Sequence, residues 1–329
     1  MKKNSVCLLF RKKDRFFSIE RVFSQLIQVF AVDMNVLRWE APYASPLKIC
    51  GNLRSVRRCK ADVYHITGDI HYIVLGLPRR RTLLTIHDCI FLHSSTGFKR
   101  KILKWLLLDM PVRRSRLITT ISEKTRQDIL ANTRCPAEKI VVIPDPVDSR
   151  IQFIPAPFRA EEPVLLFIGS TPNKNLERVI RALESIPCRL DIVGKPSPEM
   201  IVLLQTTGIR HTISSGLTDE EMAARYAASD LVLFPSTFEG FGLPVIEGQK
   251  AGRPVITSNI SPMKEVAGGA ACLVDPYDIA AIRAGVLKVV NDADYRQRLV
   301  ERGFRNAARY DPAAVAAQYL ACYKELLTS

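Results

Sequence analysis

The 329-residue chain predicts an α/β protein built of two doubly wound parallel sheets, one after the other. Short apolar runs alternate with segments of helical spacing from end to end, which is the pattern of repeated βαβ units. A polar, proline-rich stretch, Asp145-Pro-Val-Asp148 and then Pro155-Ala-Pro157, interrupts that pattern near the middle. The charge changes at the same place. Residues 1–150 carry 28 Lys and Arg against 13 Asp and Glu, whereas the remainder carries 19 against 20, so the whole excess of +14 belongs to the first half. The chain is long enough for two cores, and 47% hydrophobic residues is ordinary for a globular protein.

The elements follow in order. Val6–Phe10 reads as the first buried strand. From Ser18 to Phe30 the spacing is helical, with Ile19, Val22, Phe23, Leu26 and Phe30 on one side and Ser18 as the cap. Asp62–Ile66 and Thr82–Ile86 are short buried strands. Leu117–Ile121 is another, with Ser122 capping a helix to about Leu130, and Ile140–Ile143 closes the first domain. The second domain opens with Val164–Ile168 and continues through Arg189–Val193, Leu231–Phe234, Pro254–Thr257 and Ala271–Val274. Asp275–Asp278 caps a helix from Ile279, and Pro312–Leu327 is an amphipathic closing helix.

Several classes of function are poorly supported. There is no Gly-x-Gly-x-x-Gly or P-loop, so neither a dehydrogenase nor an NTPase is indicated. No Ser–His–Asp set is readable. The eight cysteines contain no Cys-x-x-Cys pair and read as free thiols rather than a disulfide frame or a zinc site. No apolar run approaches the roughly 20 residues of a membrane-spanning helix, and Arg11–Asp14 cuts the first apolar stretch too early for a secretory signal. No nucleic-acid-binding motif accompanies the basic charge, so nucleic acid is not an expected partner.

The chemistry concentrates between Glu239 and Glu247, in Glu-Gly-Phe-Gly-Leu-Pro-Val-Ile-Glu. A strand delivers Glu239 to a loop, and Pro244 opens a helix whose first turn is expected to contain Glu247. Backbone N–H groups of Gly240, Phe241, Gly242 and the following Leu243 would point into the same crevice as an anion cradle. Carboxylates there can accept hydrogen bonds from sugar or ribose hydroxyls. The loop Gly169-Ser-Thr-Pro-Asn-Lys-Asn175 follows the first strand of the second domain. A lysine at its position 174 can neutralise a diphosphate as charge builds on a leaving group.

The stretch Phe234–Ile256, with Leu217–Met222 before it and Thr257–Pro276 after it, resembles the signature of retaining family 4 glycosyltransferases, which have the GT-B fold. The likeness is specific over residues 164–310 and looser over 1–150. It implies two Rossmann-like domains, 1–155 on the acceptor side and 156–310 for the donor, facing an interdomain cleft. The last helix, 311–329, is expected to pack back on the first domain. It also implies transfer of a sugar from a nucleoside-diphosphate sugar (UDP or GDP) with no obligatory metal. Lys174 and Asn175 match the family's phosphate-binding loop together with Gly169 and Ser170. The arginine that usually accompanies them is missing, since Ser170 and Thr171 stand there. Glu247 would hold the donor ribose, Glu239 would contact the donor sugar near the reacting carbon, and Leu217 would line the donor site. On the acceptor side His71, preferred over the in-strand His65, is the candidate catalytic histidine, with His87, Asp88 and Glu20 beside it. The usual Gly-Gly loop near Ser18-Ile19-Glu20 is also missing.

The acceptor is expected to be a glycan or lipid-linked glycan of a cell-surface polysaccharide or lipopolysaccharide. The protein would then be cytoplasmic, on the inner face of the membrane, with its basic first half against an anionic surface. Phe98-Lys-Arg-Lys-Ile-Leu-Lys-Trp-Leu-Leu-Leu108 suits either an interfacial helix or a core helix with a basic outer face. Two other readings fit the residues: a GT-B enzyme with a soluble sugar or sugar-phosphate acceptor, and a non-catalytic basic binding protein on this scaffold.

Overall fold

A computed structural model describes residues 3–12, 18–45, 48–89 and 97–328. Residues 13–17 and the side chains of Ser18, Phe98 and Lys99 lie outside the described residues. Contacts divide the chain into two compact units, Met1–Pro146 with Pro312–Ser329, and Val147–Asp311.

In the first unit the strands are β1 (Ser5–Phe10), β2 (Asn35–Glu40), β3 (Val63–Ile66), β4 (Thr82–Ile86), β5 (Leu117–Thr120) and β6 (Ile140–Val142). They form one parallel sheet in the order β2-β1-β3-β4-β5-β6. Alternate residues of β1 enter separate cores, Val6, Leu8 and Phe10 on one side and Cys7 and Leu9 on the other. That is why the strand reads as a continuous apolar run: a parallel sheet covered on both faces has no polar face to alternate with.

The C-terminal helix, Pro312–Thr328, belongs to this unit. Its Val315, Ala316, Tyr319, Leu320, Tyr323 and Leu326 recur at helical spacing and enter the core of β1 and the helix Ser18–Asp33. Phe23, Phe30, Tyr319, Tyr323 and His65 form an aromatic cluster there, with His65 5.0 Å from the Phe23 ring centre and edge-on to it. Truncating Tyr319, 2% exposed, to Ala would cost on the order of 3–5 kcal/mol, by analogy with other buried aromatics.

The second unit holds β7 (Val164–Ile168), β8 (Arg189–Val193), β9 (Arg210–Ser214), β10 (Leu231–Phe234), β11 (Val255–Ser258) and β12 (Cys272–Val274). Their order is β12-β11-β10-β7-β8-β9, again parallel. The chain builds β7-β8-β9 outward in one direction and then returns to lay β10 on the other side of β7. The crevice at the carboxyl ends of β7 and β10 is therefore the switch point at which doubly wound sheets hold ligands.

Several features differ from the sequence reading. Strands β2 and β9 are additional, and both are sheet edges whose residues are all exposed or half-buried, so neither forms an apolar run. The helix Pro198–Thr206 between β8 and β9 is additional too. The units divide at 146 rather than 155, because residues 147–155 bond within the second unit. Val147 N–H donates to Tyr310 O at 2.8 Å, Arg253 donates to Ile154 O at 2.8 Å, and Arg150 pairs with Asp148, Asp219 and Glu220.

Candidate functional site

The switch point of the second unit brings together the two loops that carry Lys174 and Glu239. Lys174 Nζ lies 2.6 Å from Glu239 Oε1, and their side chains are 19% and 13% exposed. Asn173 fixes the approach of the loops: Thr237 N–H donates to its carbonyl at 2.8 Å, and its side-chain amide donates to Phe238 O at 2.9 Å. The lysine stem passes over Gly169, whose φ is +99° and where a Cβ would sit 2.7 Å from Lys174 Cγ. Glycine is needed there twice, for the backbone conformation and for the space. The ammonium also lies 4.8 Å from the centre of the Phe234 ring, a cation–π contact that helps hold a charge partly out of water.

Beyond Glu239 the chain turns through Gly242, at φ +105°, into the helix Leu243–Lys250. Among the described residues no acceptor is found for the N–H groups of Gly240, Phe241, Gly242 and Leu243. The Phe241 ring turns inward against Tyr310, with centroids 5.7 Å apart, which leaves backbone rather than side chain facing the crevice. Glu247 lies one turn further into the helix than the sequence suggests, because the helix starts at Leu243 and holds no acid in its first turn. It is 7% exposed and accepts a 2.6 Å hydrogen bond from the Tyr226 hydroxyl, which projects from the helix Asp219–Ala228. A carboxylate this buried needs such a charge-assisted bond.

The other donor-side candidates separate by what they touch. Asn175 adopts a left-handed conformation (φ 69°) and is 4% exposed. Its amide donates to Pro235 O and Pro276 O at 3.0 and 2.6 Å, and its Oδ1 accepts from Arg178. Asn175 thus ties three loops together rather than offering a free contact. Ser170 Oγ accepts from Lys195 N–H at 3.0 Å and joins the loops after β7 and β8. Leu217 is half-buried beside Thr218, which forms a capping box with Glu221.

In the first unit the expected catalytic histidine is a packed one. His71 is 6% exposed and starts a short 3₁₀ turn, His71–Gly76, with Nδ1 2.6 Å from Leu107 O. Burial lowers its pKa below the ordinary value, although the bond to the Leu107 carbonyl opposes this. Gly68 and Asp69 carry it past the strand end and back under the segment Trp105–Asp109. His65 is wholly buried, 2.7 Å from both the Tyr323 hydroxyl and Thr85 Oγ1, with its pKa pushed down to about 3 by burial. Of the three first-unit histidines considered, His87 is the half-buried one at a carboxyl strand end. Its Nε2 is 2.7 Å from Thr67 O, and the half-buried Asp88 follows it.

Glu20 does not stand free as a helix-start acid. It is 8% exposed and paired with Arg11 at 3.2 Å, and Arg11 also reaches Asp69 at 2.5 Å. Arg11 follows β1 beside the end of β3, the switch point of the first sheet. In the sequence reading Arg11 only marks where the first apolar stretch ends. Its place directly after the first buried strand was the available signal. Asn173 and Tyr226 were missed for a different reason, since nothing local marks a residue whose partner lies 66 or 21 positions away. Among the described residues no group of three or more His, Cys, Asp or Glu is arranged to hold a metal ion.

Residues 148–306 match the family described as glycosyl transferases group 1, and residues 6–150 match glycosyltransferase family 4. The chain is 28% identical over 299 residues to O-antigen chain mannosyltransferase B of Escherichia coli, covering 83% of this chain and 76% of that protein. It is 29% identical over 319 residues to an MMP alpha-(1->4)-mannosyltransferase of Mycolicibacterium hassiacum, covering 88% and 77%. Sucrose-phosphate synthase from Thermosynechococcus elongatus has the same fold, with a TM-score of 0.79 at 17% identity over 99% of this chain and 100% of that one. HepE from Anabaena, in complex with UDP and glucose, gives a TM-score of 0.76 at 16% identity over 97% and 99%. The two family matches between them span residues 6–306, and the chain belongs to the family 4 glycosyltransferases, with the GT-B fold.

Proposed function

We propose that the protein transfers a sugar from a UDP- or GDP-linked donor to a glycan or lipid-linked glycan acceptor in the building of a cell-surface polysaccharide. The observation that carries this reading is the Lys174–Glu239 pair at the switch point of the second sheet. An ammonium there can take the charge that develops on a diphosphate as its bond to the sugar carbon breaks. The N–H groups of Gly240 to Leu243 add a second source of positive potential at the start of a helix. Glu239 accepts a hydrogen bond from a donor sugar hydroxyl near the reacting carbon. Glu247, oriented by Tyr226, accepts from the ribose hydroxyls. On the acceptor side His87, Asp88 and Arg11 take the places at strand ends, while His71 acts only by supporting the loop that carries it.

The relatives favour this chemistry, two being named as mannosyltransferases and one solved neighbour holding UDP and glucose. Transfer with retention at the anomeric carbon is part of the proposal. A thermal-shift screen against UDP, GDP, ADP and their sugars tests it, because a ligand that binds only the folded state raises the melting temperature. The expected result is a shift with one nucleotide series, followed by release of that nucleoside diphosphate when a glycan acceptor is added. Absence of any shift across the series would sink the reading.

A further inference from the structure

Two of the cysteines meet in the first unit. Cys7 Sγ lies 2.9 Å from Cys59 Sγ, across 52 positions of sequence. Cys7 is wholly buried in β1, in a core with Leu9 and Val56, and the half-buried Cys59 packs against that core. Both backbone groups of Cys59 are held. Its N–H donates to Val56 O at 3.0 Å, at the end of the helix Ile49–Val56, and its carbonyl accepts from the Tyr64 hydroxyl at 3.0 Å. Tyr64 is the β3 residue opposite Cys7 in the sheet register, and its hydroxyl also accepts from Ala61 N–H at 3.2 Å. The turn between the helix and β3 is thus fixed with the Cys59 sulfur against β1.

The two sulfurs differ in access. Burial, and then the contact with Cys59, raises the pKa of the Cys7 thiol, which therefore stays protonated. Cys59 is the sulfur that solvent reaches. A disulfide has its sulfurs about 2.0 Å apart, so the pair closes by about 0.9 Å from its 2.9 Å contact. Glycosyl transfer uses neither residue: Cys59 precedes β3 at its amino end, whereas His87 and Asp88 follow β4 at its carboxyl end.

We propose that Cys7 and Cys59 are a redox modification site, joined by peroxide into a reversible disulfide that ties β1 to the turn leading into β3. The Cys59 thiolate attacks one oxygen of hydrogen peroxide. The O–O bond breaks, hydroxide leaves and takes up the proton the thiol gave up, and Cys59 becomes a sulfenic acid. The Cys7 sulfur then attacks the Cys59 sulfur. The S–O bond breaks, and the departing hydroxide leaves as water with the Cys7 proton. One peroxide and two thiols give one disulfide and two waters, the two sulfurs being oxidised and the peroxide oxygens reduced. Exchange with an added dithiol reverses the reaction.

The experiment treats the folded full-length protein with hydrogen peroxide, needs neither donor nor acceptor, and reads linkage and dynamics separately. Peptide mapping without reductant should find residues 7 and 59 in one cross-linked fragment, lost again on adding dithiothreitol. Amide exchange in the helix Ile49–Val56 and the turn after it should slow by at least about tenfold in the oxidised protein, since the tie opposes local opening. Cys59→Ser should abolish both effects, and Cys50→Ser, which changes an exposed cysteine, should keep both. In Cys7→Ala the sulfenic acid has no thiol to resolve it, so Cys59 should be trapped by dimedone, which should not label the wild type. If Cys7→Ala fails to fold, the wild-type linkage and the two serine variants still decide the matter. Three outcomes would overturn the proposal: dimedone capture or sulfinic acid at Cys59 of the wild type with Cys7 still free, a 7–59 linkage formed only after denaturation, or unchanged exchange in the linked protein.

Discussion

Replacing Lys174 with methionine keeps most of the stem that packs over Gly169 and removes the charge. A unit charge about 4 Å from a phosphate oxygen, at an effective dielectric near 20, interacts by roughly 4 kcal/mol. The side chain is 19% exposed, so solvent reduces this. Loss of one preorganised donor to a developing negative charge commonly costs about 3–4 kcal/mol. A fall in kcat of about 100- to 1000-fold is therefore expected, with a smaller effect on stability, because Glu239 at 13% exposure can still reach water. The assay is steady-state release of nucleoside diphosphate at saturating donor, with the melting temperature measured alongside. Glu239→Gln in the same chain supplies the control. The double variant Lys174→Met/Glu239→Gln leaves no unpaired acid, so it should recover stability but not turnover. A kcat within fivefold of wild type in the single variant, or turnover restored in the double variant, would show that the pair is a structural clamp and not the diphosphate site.

Gly169→Ala meets both a φ of +99° and the Lys174 stem, so it should lose about 1–3 kcal/mol of stability and weaken nucleotide binding together, as chemical denaturation and a binding isotherm would show. Tyr226→Phe removes the 2.6 Å bond to the buried Glu247 carboxylate, worth about 1.5–3 kcal/mol, and scanning calorimetry should find a melting temperature lower by about 3–10 °C. His65 has a pKa of about 3 in the folded state, held below its ordinary 6.5 by burial. Below 6.5 the unfolded chain takes up a proton that the folded chain refuses, so stability present above that pH is lost as pH falls toward 3. The slope from this group should approach about 1.4 kcal/mol per pH unit, and denaturant midpoints of His65→Gln should show a flatter fall between pH 6.5 and 4.

The sequence shows the fold most clearly where strands are covered on both faces. Val6–Phe10, Val164–Ile168 and Leu231–Phe234 are uninterrupted apolar runs because both faces of their sheets are covered, with only the ends of Val164–Ile168 half-buried. It shows least at the sheet edges, where Asn35–Glu40 and Arg210–Ser214 are made strands by neighbours on one side only and carry arginines facing outward. Lys174 and Glu239 could be named from their loops. That they touch follows from β10 returning to lie beside β7, a long-range event with no local mark. At His71 the position after Gly68-Asp69 suggested a ligand contact, and nothing local marks the bond that its Nδ1 makes to the carbonyl of Leu107, 36 residues away. Glu20 was ambiguous for want of a partner, and Arg11 supplies one.

The most direct test of the account is the heat of binding of UDP and GDP to the wild-type protein and to Lys174→Met. The account predicts one nucleoside diphosphate bound by the wild type and an affinity lower by about a hundredfold in the variant. Equal affinity in the two proteins would place the diphosphate somewhere other than beside Lys174 and Glu239.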